Sequence, residues 1–435
     1  MKASSLDLPR FGAGTGLVRT AAIAARLDLD LEALGRRAVV IAGSNGKGSV
    51  SRMLASLLRQ GGEGVGLFTS PHLAHFNERF ELSGERIDDA SLVAIEDRVG
   101  AAIAAHLVDH PGDQPGAFEA CFLAAMLWFH ESGAERLVVE AGIGGRYDPT
   151  RLLKAPHAAL VSLDAEHMPL LGTTLREVAL DKFDVAPPGG HVVLGRSLER
   201  ERVGIDRVAA GKGITTHWVG DGYELAKSVD DLHGHQLALR HAVHGNLDTL
   251  IAMHGRFQLD NLEVALDLFA AMRPDLFEKG WPSLIAPALA HCANPARLEF
   301  LDGQPGLLVD AGHTPEAIRA AVAGVGALLK GRGALLLLGV SADKPVATFV
   351  DAIAPAFDDV IISALLDGVP ANLLAAAYSG QNTTARVRAV ADPRTAIALA
   401  KQEAGDRIVV ALGGLFWAAA IREAWVAATP PSCVD

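Results

Sequence analysis

Residues 37–58, RAVVIAGSNGKGSVSRMLASLL, hold the densest concentration of potentially reactive groups in the chain. Gly43, Ser44, Asn45, Gly46, Lys47, Gly48 and Ser49 follow a β-branched apolar run and open a segment of helical period. A common phosphate-binding loop has four residues between its first glycine and the Gly-Lys pair, with Ser or Thr directly after the lysine. Here Gly43 precedes Gly46 by three positions, and Gly48 separates Lys47 from Ser49. The strand-to-helix setting still favours an anion, because successive backbone N–H groups and a helix start point at it and Lys47 adds a mobile positive charge. The plain alternative is a glycine-rich turn with a solvated lysine. Three glycines, a lysine and two hydroxyl residues in this setting weigh against it.

Further polar residues sit where apolar runs end. Ser70 closes one such run at the head of FTSPHLAHFNERFELSGERI (68–87), and open α/β sheets place ligand-contacting residues there. Read alone, SPHL is equally well a turn with a histidine. Glu140 ends the run in VVEAGIGGRYDPTR (138–151), where a carboxylate with glycines leaving room suits a hard divalent cation. The alternative is a buried glutamate paired with Arg146. His167, in SLDAEHMPLLGTT (162–174), reads as a second metal ligand or as a polar residue at a helix entry. Lys182, in REVALDKFDVAPPGG, reads by itself as a surface lysine.

These residues need a frame. The N-terminal two-thirds alternates short buried runs (38–42, 65–70, 137–142, 159–163, 191–195) with helical segments, the clearest being FEACFLAAMLWFH (118–130). Strands separated by helices imply parallel pairing with helices on both faces. Between 205 and 250 the pattern suggests antiparallel strands at the edge of this domain. After HCANPARLEF (291–300) the alternation restarts with GLLVDAG, ALLLLGV, DVIISAL and RIVVALGG. The expected fold is therefore two-domain α/β. Residues 1–294 form a P-loop-type, mostly parallel sheet flanked by helices, and 295–435 form a smaller Rossmann-like domain.

Bulk properties narrow the function classes. A chain of 435 residues exceeds what one core usually serves. A net charge of −12 argues against nucleic acid, which demands a basic face. No apolar run is long enough to span a membrane, and the N-terminus lacks the apolar centre of a secretory signal. Three cysteines without paired spacing favour neither a disulfide framework nor a zinc site. A cytoplasmic protein is expected.

Motif order makes the reading specific. The chain carries AGSNGKGS, then SPHLAHFNERF, FEACFLAAMLWF, EAGIGGRYD, EHMPLLGTT and Lys182, followed by GRFQLDN, PARLE, DAGHTP and GVSADK. Over nearly its whole length it thereby resembles the folylpolyglutamate synthase/dihydrofolate synthase family of Mur-type amide ligases. The resemblance implies an ADP-forming enzyme that moves the ATP γ-phosphate onto an acceptor carboxylate. The acyl phosphate is then attacked by the amine of L-glutamate, in a reaction that rests on positioning and charge stabilisation. It further implies small-molecule substrates (ATP, a pterin or other acid, an amino acid), no nucleic acid or membrane partner, and a monomer.

Carried over by position, Gly43–Ser49 hold the phosphates, with Lys47 among the catalytic groups. Gln258, Asn261, Arg297 and Asp310 contact the nucleotide. Ser49, Ser70 and Glu140 serve one Mg²⁺ and His167 a second. Lys182 matches a lysine that is carbamylated in relatives. On the acceptor and amino-acid side lie His72, Phe118, Glu119, Arg146, Asp148, Arg151 and His313. A site drawn from two domains implies closure on substrate. Departures fall on substrate-selecting groups. Asp148-Pro149-Thr150-Arg151 replaces D-A-T-N, Phe183-Asp184-Val185 replaces A-G-I, and Gly414 stands where a hydroxyl is common. They leave open a paralogue acting on a different acid or amino acid. A nucleotide-binding protein without ligase activity is the other class, and intact Lys47, Glu140, His167 and Lys182 argue against it.

Overall fold

The computed structural model describes residues 6–165, 168–220 and 222–427. Its larger sheet has eight strands: β1 (Ala38–Ala42), β2 (Val65–Phe68), β3 (Phe80–Leu82), β4 (Glu85–Arg86), β5 (Arg136–Glu140), β6 (His157–Leu160), β7 (His191–Leu194) and β8 (Thr215–Trp218). They run in the order β4-β3-β2-β5-β1-β6-β7-β8. Pairing from β2 to β8 is parallel, and β3 and β4 form an antiparallel edge. Every residue of β1 is buried, as a strand covered by helices on both faces requires. β1 lies between β5 and β6, so the chain crosses over it on leaving β5. The loops after β1, β5 and β6 therefore gather at the carboxyl ends of adjacent strands, where such sheets place ligands.

Strands β9 (Tyr223–Asp231), β10 (Gly234–His241) and β11 (Gly245–Ile251) form a sheet of their own. The expected edge strands thus divide. Thr215–Trp218 joins the large sheet in parallel register with β7, and the rest does not join it. The third sheet comprises β12 (Glu299–Leu301), β13 (Leu307–Val309), β14 (Ala334–Leu338), β15 (Asp359–Ile362), β16 (Arg386–Ala389) and β17 (Ile408–Leu412). Its order is β12-β13-β17-β14-β15-β16, parallel except for β12.

The chain forms two compact units. One holds the chain up to Ala226 with Ala238–Thr249 and Gln258–Cys292, and the other holds Lys227–Leu237, Leu250–Phe257 and the chain from Ala293. Residues 227–237 and 250–257, expected within 1–294, therefore group with the second unit. Each unit has its own apolar core, the first around Phe68, Phe122, Val139 and Leu160, the second around Leu308, Leu336, Val360 and Val410.

Candidate active site

The loop after β1 is shaped by glycine. Gly43 and Gly46 have φ of +146° and +82°, conformations that an L side chain rarely adopts. A Cβ on Gly46 would lie 2.3 Å from Asn261 Oδ1 and 2.9 Å from Val161 Cγ1, so the bare backbone is also a packing requirement. The segment after β6 braces the loop. Ser44 N donates to Ser162 O (2.9 Å), Asn45 N to Ser162 Oγ (2.7 Å), and Asp164 N to Ser44 Oγ (3.0 Å). Ser44 and Asn45, assigned from sequence to the phosphates, thus have these groups engaged within the protein. Helix Lys47–Gln60 then starts at Gly46 with no side-chain cap and no acidic residue in its first turn. Uncapped N–H groups at a helix start favour an anion.

Two lysines converge on this loop. Lys47 Nζ donates to Gly43 O (2.8 Å) and Ser44 O (3.1 Å). Lys182 is buried at the end of helix Leu175–Phe183, and its Nζ donates to the same Gly43 O at 3.2 Å. A surface lysine, its plain reading, is therefore excluded. Two ammonium groups on one carbonyl oxygen repel each other, and an anion between them relieves that repulsion. Helix Leu175–Phe183 owes its start to a capping box, with Glu177 N donating to Thr174 Oγ1 (3.2 Å) and Thr174 N to Glu177 Oε2 (3.0 Å).

Glu140 is buried at the end of β5, and its Oε2 accepts from Ser70 N at 3.0 Å, so two residues assigned to Mg²⁺ sit together. Arg146 instead pairs with Asp184 (2.6 Å), which removes the alternative of a Glu140–Arg146 pair. Ser49, Ser70 and Glu140 supply the oxygen donors a hard cation prefers. His167 lies outside the described residues, and among those described no group of three or more His, Cys, Asp or Glu side chains could hold a metal. Asn261 Nδ2 donates to Gln258 Oε1 at 2.8 Å, and the fully buried Gln258 Nε2 has no hydrogen-bond partner among the described residues. A buried donor in that state is costly unless a ligand accepts from it.

The residues expected on the acceptor side behave differently. Asp148 is buried and its carboxylate accepts from Gly142 N (2.8 Å), Ile143 N (3.2 Å), Thr150 N (3.0 Å) and Thr150 Oγ1 (2.5 Å). It staples its own loop. Burial raises its carboxyl to about 6, outweighing those bonds. Glu119 accepts from Arg19 (2.8 and 2.9 Å), Thr20 Oγ1 (2.9 Å) and Gly116 N (3.0 Å), and so holds a helix start rather than offering free lone pairs. Phe118 packs on Phe68 with ring centres 5.8 Å apart, and a Cβ on Gly142 would come within 2.9 Å of its ring. His72 Nδ1 accepts from Arg79 Nε (2.9 Å), and burial, with Arg79 adding, lowers its pKa to about 4. Arg151 donates to Arg146 O (2.9 Å).

The glycines after β5 make room for protein rather than for a cation alone. A Cβ on Gly144 would lie 2.4 Å from Asp181 Oδ1, and one on Gly145 would lie 2.4 Å from Lys182 O. Asp181, Ser162 and Asp164 carry no motif signal in the sequence, and Asp184 stands out there only as a departure from A-G-I. The only signal of the first three is position, after a strand or beside Lys182.

In the second unit, Arg297, Asp310 and His313 lie around β12 and β13. Asp310 is buried and accepts from Leu298 N (2.9 Å) and Gly312 N (2.7 Å). Burial raises its pKa against the opposing field of Arg297. His313 Nδ1 lies 3.3 Å from Ala311 O, and a Cβ on Gly414, which has φ of +98°, would meet His313 Cβ at 3.7 Å. Gly413 is fixed by packing, because its Cβ would fall 1.7 Å from Gly339 O.

A parallel sheet with a short glycine loop, joined to a second α/β unit, places the chain among the Mur-type ligases, and residues 296–415 match the model for the Mur ligase, glutamate ligase domain. It is 31% identical to a probable bifunctional folylpolyglutamate synthase/dihydropteroate synthase of Halobacterium salinarum, over 99% of this chain and 52% of that protein. The chain spans about half the length of that relative and of its Haloferax volcanii counterpart. It is 28% identical to folylpolyglutamate synthase of Lacticaseibacillus casei, over 90% of this chain and 92% of that one. Among solved structures, Mycobacterium tuberculosis folylpolyglutamate synthase complexed with ADP and AMPPCP superposes with a TM-score of 0.83 at 25% identity, covering 94% of this chain and 95% of that one. The chain belongs to the folylpolyglutamate synthase/dihydrofolate synthase family. A carbamate on Lys182 finds no support in these comparisons.

Proposed function

We propose that the chain is an ATP-dependent, ADP-forming ligase that joins L-glutamate to the carboxylate of dihydropteroate, of a folate, or of both. The observation that carries this reading is the meeting of Lys47 and Lys182 on Gly43 O beside an uncapped helix start. That arrangement suits a polyphosphate. On binding, Lys47 leaves the Gly43 and Ser44 carbonyls for phosphate oxygens, and the N–H groups at the helix start complete the cradle. The acceptor carboxylate attacks the γ-phosphorus, the bond to the bridging oxygen of ADP breaks, and an acyl phosphate forms. The glutamate amine then attacks the acyl carbon and expels inorganic phosphate, losing a proton as the amide forms. Charge held by Lys47 and Lys182 is greatest where negative charge is transferred, which is what lowers such barriers. Mg²⁺, when bound by Ser49, Ser70 and Glu140, would neutralise phosphate charge. Gln258, whose Nε2 has no partner among the described residues, and Asn261 are assigned to the nucleotide.

Relatives named folylpolyglutamate and dihydrofolate synthases support the acceptor and amino acid. A second reading, the same chemistry on a different acid, is favoured by one observation. Asp184, where the family pattern has glycine, takes Arg146 into an ion pair beside the altered Asp148–Arg151 segment. No helix among the described residues is long and apolar enough to cross a membrane. A cytoplasmic monomer is part of the proposal. The test is ADP release with L-glutamate and, in turn, dihydropteroate, tetrahydrofolate and a panel of other acids. Turnover with either pterin acid is expected. Turnover confined to another acid selects the second reading, and none with any acid rejects both.

A further inference from the structure

Three side chains at one helix end reach two different glycine loops. Lys182 Nζ touches the phosphate loop at Gly43 O (3.2 Å). Its neighbour Asp181, also buried, accepts through Oδ1 from Gly145 N (3.1 Å) in the loop after β5. Asp184 Oδ2 accepts from Arg146 Nε (2.6 Å), while its Oδ1 accepts from Lys212 Nζ (2.5 Å). The contact is backbone-close. Gly144 and Gly145 have no space for a Cβ, since Asp181 Oδ1 and Lys182 O would each be 2.4 Å away. A side chain tied to a loop that must admit a phosphate is therefore adjacent, in sequence and through a rigid helix end, to one tied to the loop that carries Arg146.

We infer that Asp181 is a positioning residue that couples the phosphate loop to the loop after β5, so that filling the first through Lys182 orders the second. The inference rests on the reading of residues 43–49 as the nucleotide site. Nucleotide draws the Lys182 ammonium from Gly43 O toward phosphate, and the helix end shifts with it. The Asp181 carboxylate passes that shift to the Gly145 amide. Two loops that would otherwise open independently thereby share one equilibrium, which is what coupling between sites requires.

The test is hydrogen–deuterium exchange of the full chain with and without AMPPCP and Mg²⁺, so it needs no acceptor. In the unaltered protein, nucleotide is expected to slow exchange in peptides covering 43–49, and to slow 142–148 by about fivefold or more. Asp181→Ala should keep the first effect and lose the second. Asp181→Asn, whose Oδ1 still accepts from Gly145 N, should keep both. A merely structural role would speed exchange of 142–148 equally with and without nucleotide, leaving the nucleotide-dependent difference intact, and that result overturns the inference. So does an unaltered protein that shows slowing at 43–49 and none at 142–148. Should Asp181→Ala not fold, Gly145→Ala presses its Cβ on Lys182 O and is expected to lose the same difference; retention there rejects the coupling. Absence of any slowing at 43–49 is a separate outcome, which rejects the nucleotide reading and the inference with it.

Discussion

The loops after β1 and β5 leave adjacent parallel strands, with Val40 opposite Val139, and both are rich in glycine, yet they reach opposite electrostatic states. The first opens onto a helix start with no side-chain cap and no acidic residue, and two ammonium groups meet on its Gly43 carbonyl. The second contains its own carboxylate, and Asp148 accepts the N–H groups of Gly142 and Ile143 that an anion would otherwise claim. What it presents outward is side chains, among them half-exposed Tyr147 and the Arg146–Asp184 pair. Whether a carboxylate folds back on a glycine loop decides whether the loop binds charge or shapes a surface. We assign phosphate handling to the first loop and acceptor recognition to the second.

The largest effect should come from the cations of the first loop. Lys47→Ala is expected to lower kcat/KM for ATP by about 10²- to 10³-fold, the size typical for removing one stabiliser of developing charge, while KM for the acceptor changes little. Steady-state ADP release with each substrate varied separately measures it. A larger rise in acceptor KM than loss in ATP kcat/KM would break the division between the loops. Lys182→Ala should follow, with about 10²-fold lower turnover that added bicarbonate does not restore. Unchanged activity in that variant would remove Lys182 from the site.

Much of this frame is legible in the amino-acid sequence. The fully buried strand AVVIA announces itself through an unbroken apolar run, as does the LVV of β5, and the helix at Ala117–Glu131 matches the expected 118–130 within a residue at each end. The strands that escaped are those whose pattern is polar or very short. β16 reads RVRA because Arg388 is engaged with Asp359 and Glu403, a pairing that periodicity cannot show. At the site, residue types marked Lys47, Ser70 and Glu140, and motif order alone marked Lys182. Orientation was beyond reach. That Asp148 and Glu119 turn onto backbone and Arg19 rather than toward a ligand depends on φ, ψ and long-range packing. Glu119 and Arg19 meet only because residues 100 apart in sequence are brought together.

The smallest effect tests whether Asp148 belongs to the loop's own architecture, and it is one of pH rather than rate. Its carboxyl, raised by burial to about 6 against roughly 3.9 in an unfolded chain, binds more protons in the native state between about pH 4 and 6. Native stability from this group therefore falls as pH rises through that window and is recovered as pH is lowered. Between pH 7 and 5 the recovery is about 1 kcal/mol. Asp148→Asn cannot titrate, and its single oxygen cannot accept from Gly142 and Ile143 on one side and from Thr150 N on the other. It should be less stable at either pH, by an amount that cancels when the two pH values are compared. The margin of the unaltered protein over Asp148→Asn should then widen by about 1 kcal/mol from pH 7 to pH 5, read from urea unfolding of both proteins at each pH. Parallel pH profiles would mean that the carboxyl keeps its ordinary pKa in the fold, and burial of Asp148 would then not set the second loop apart from the first.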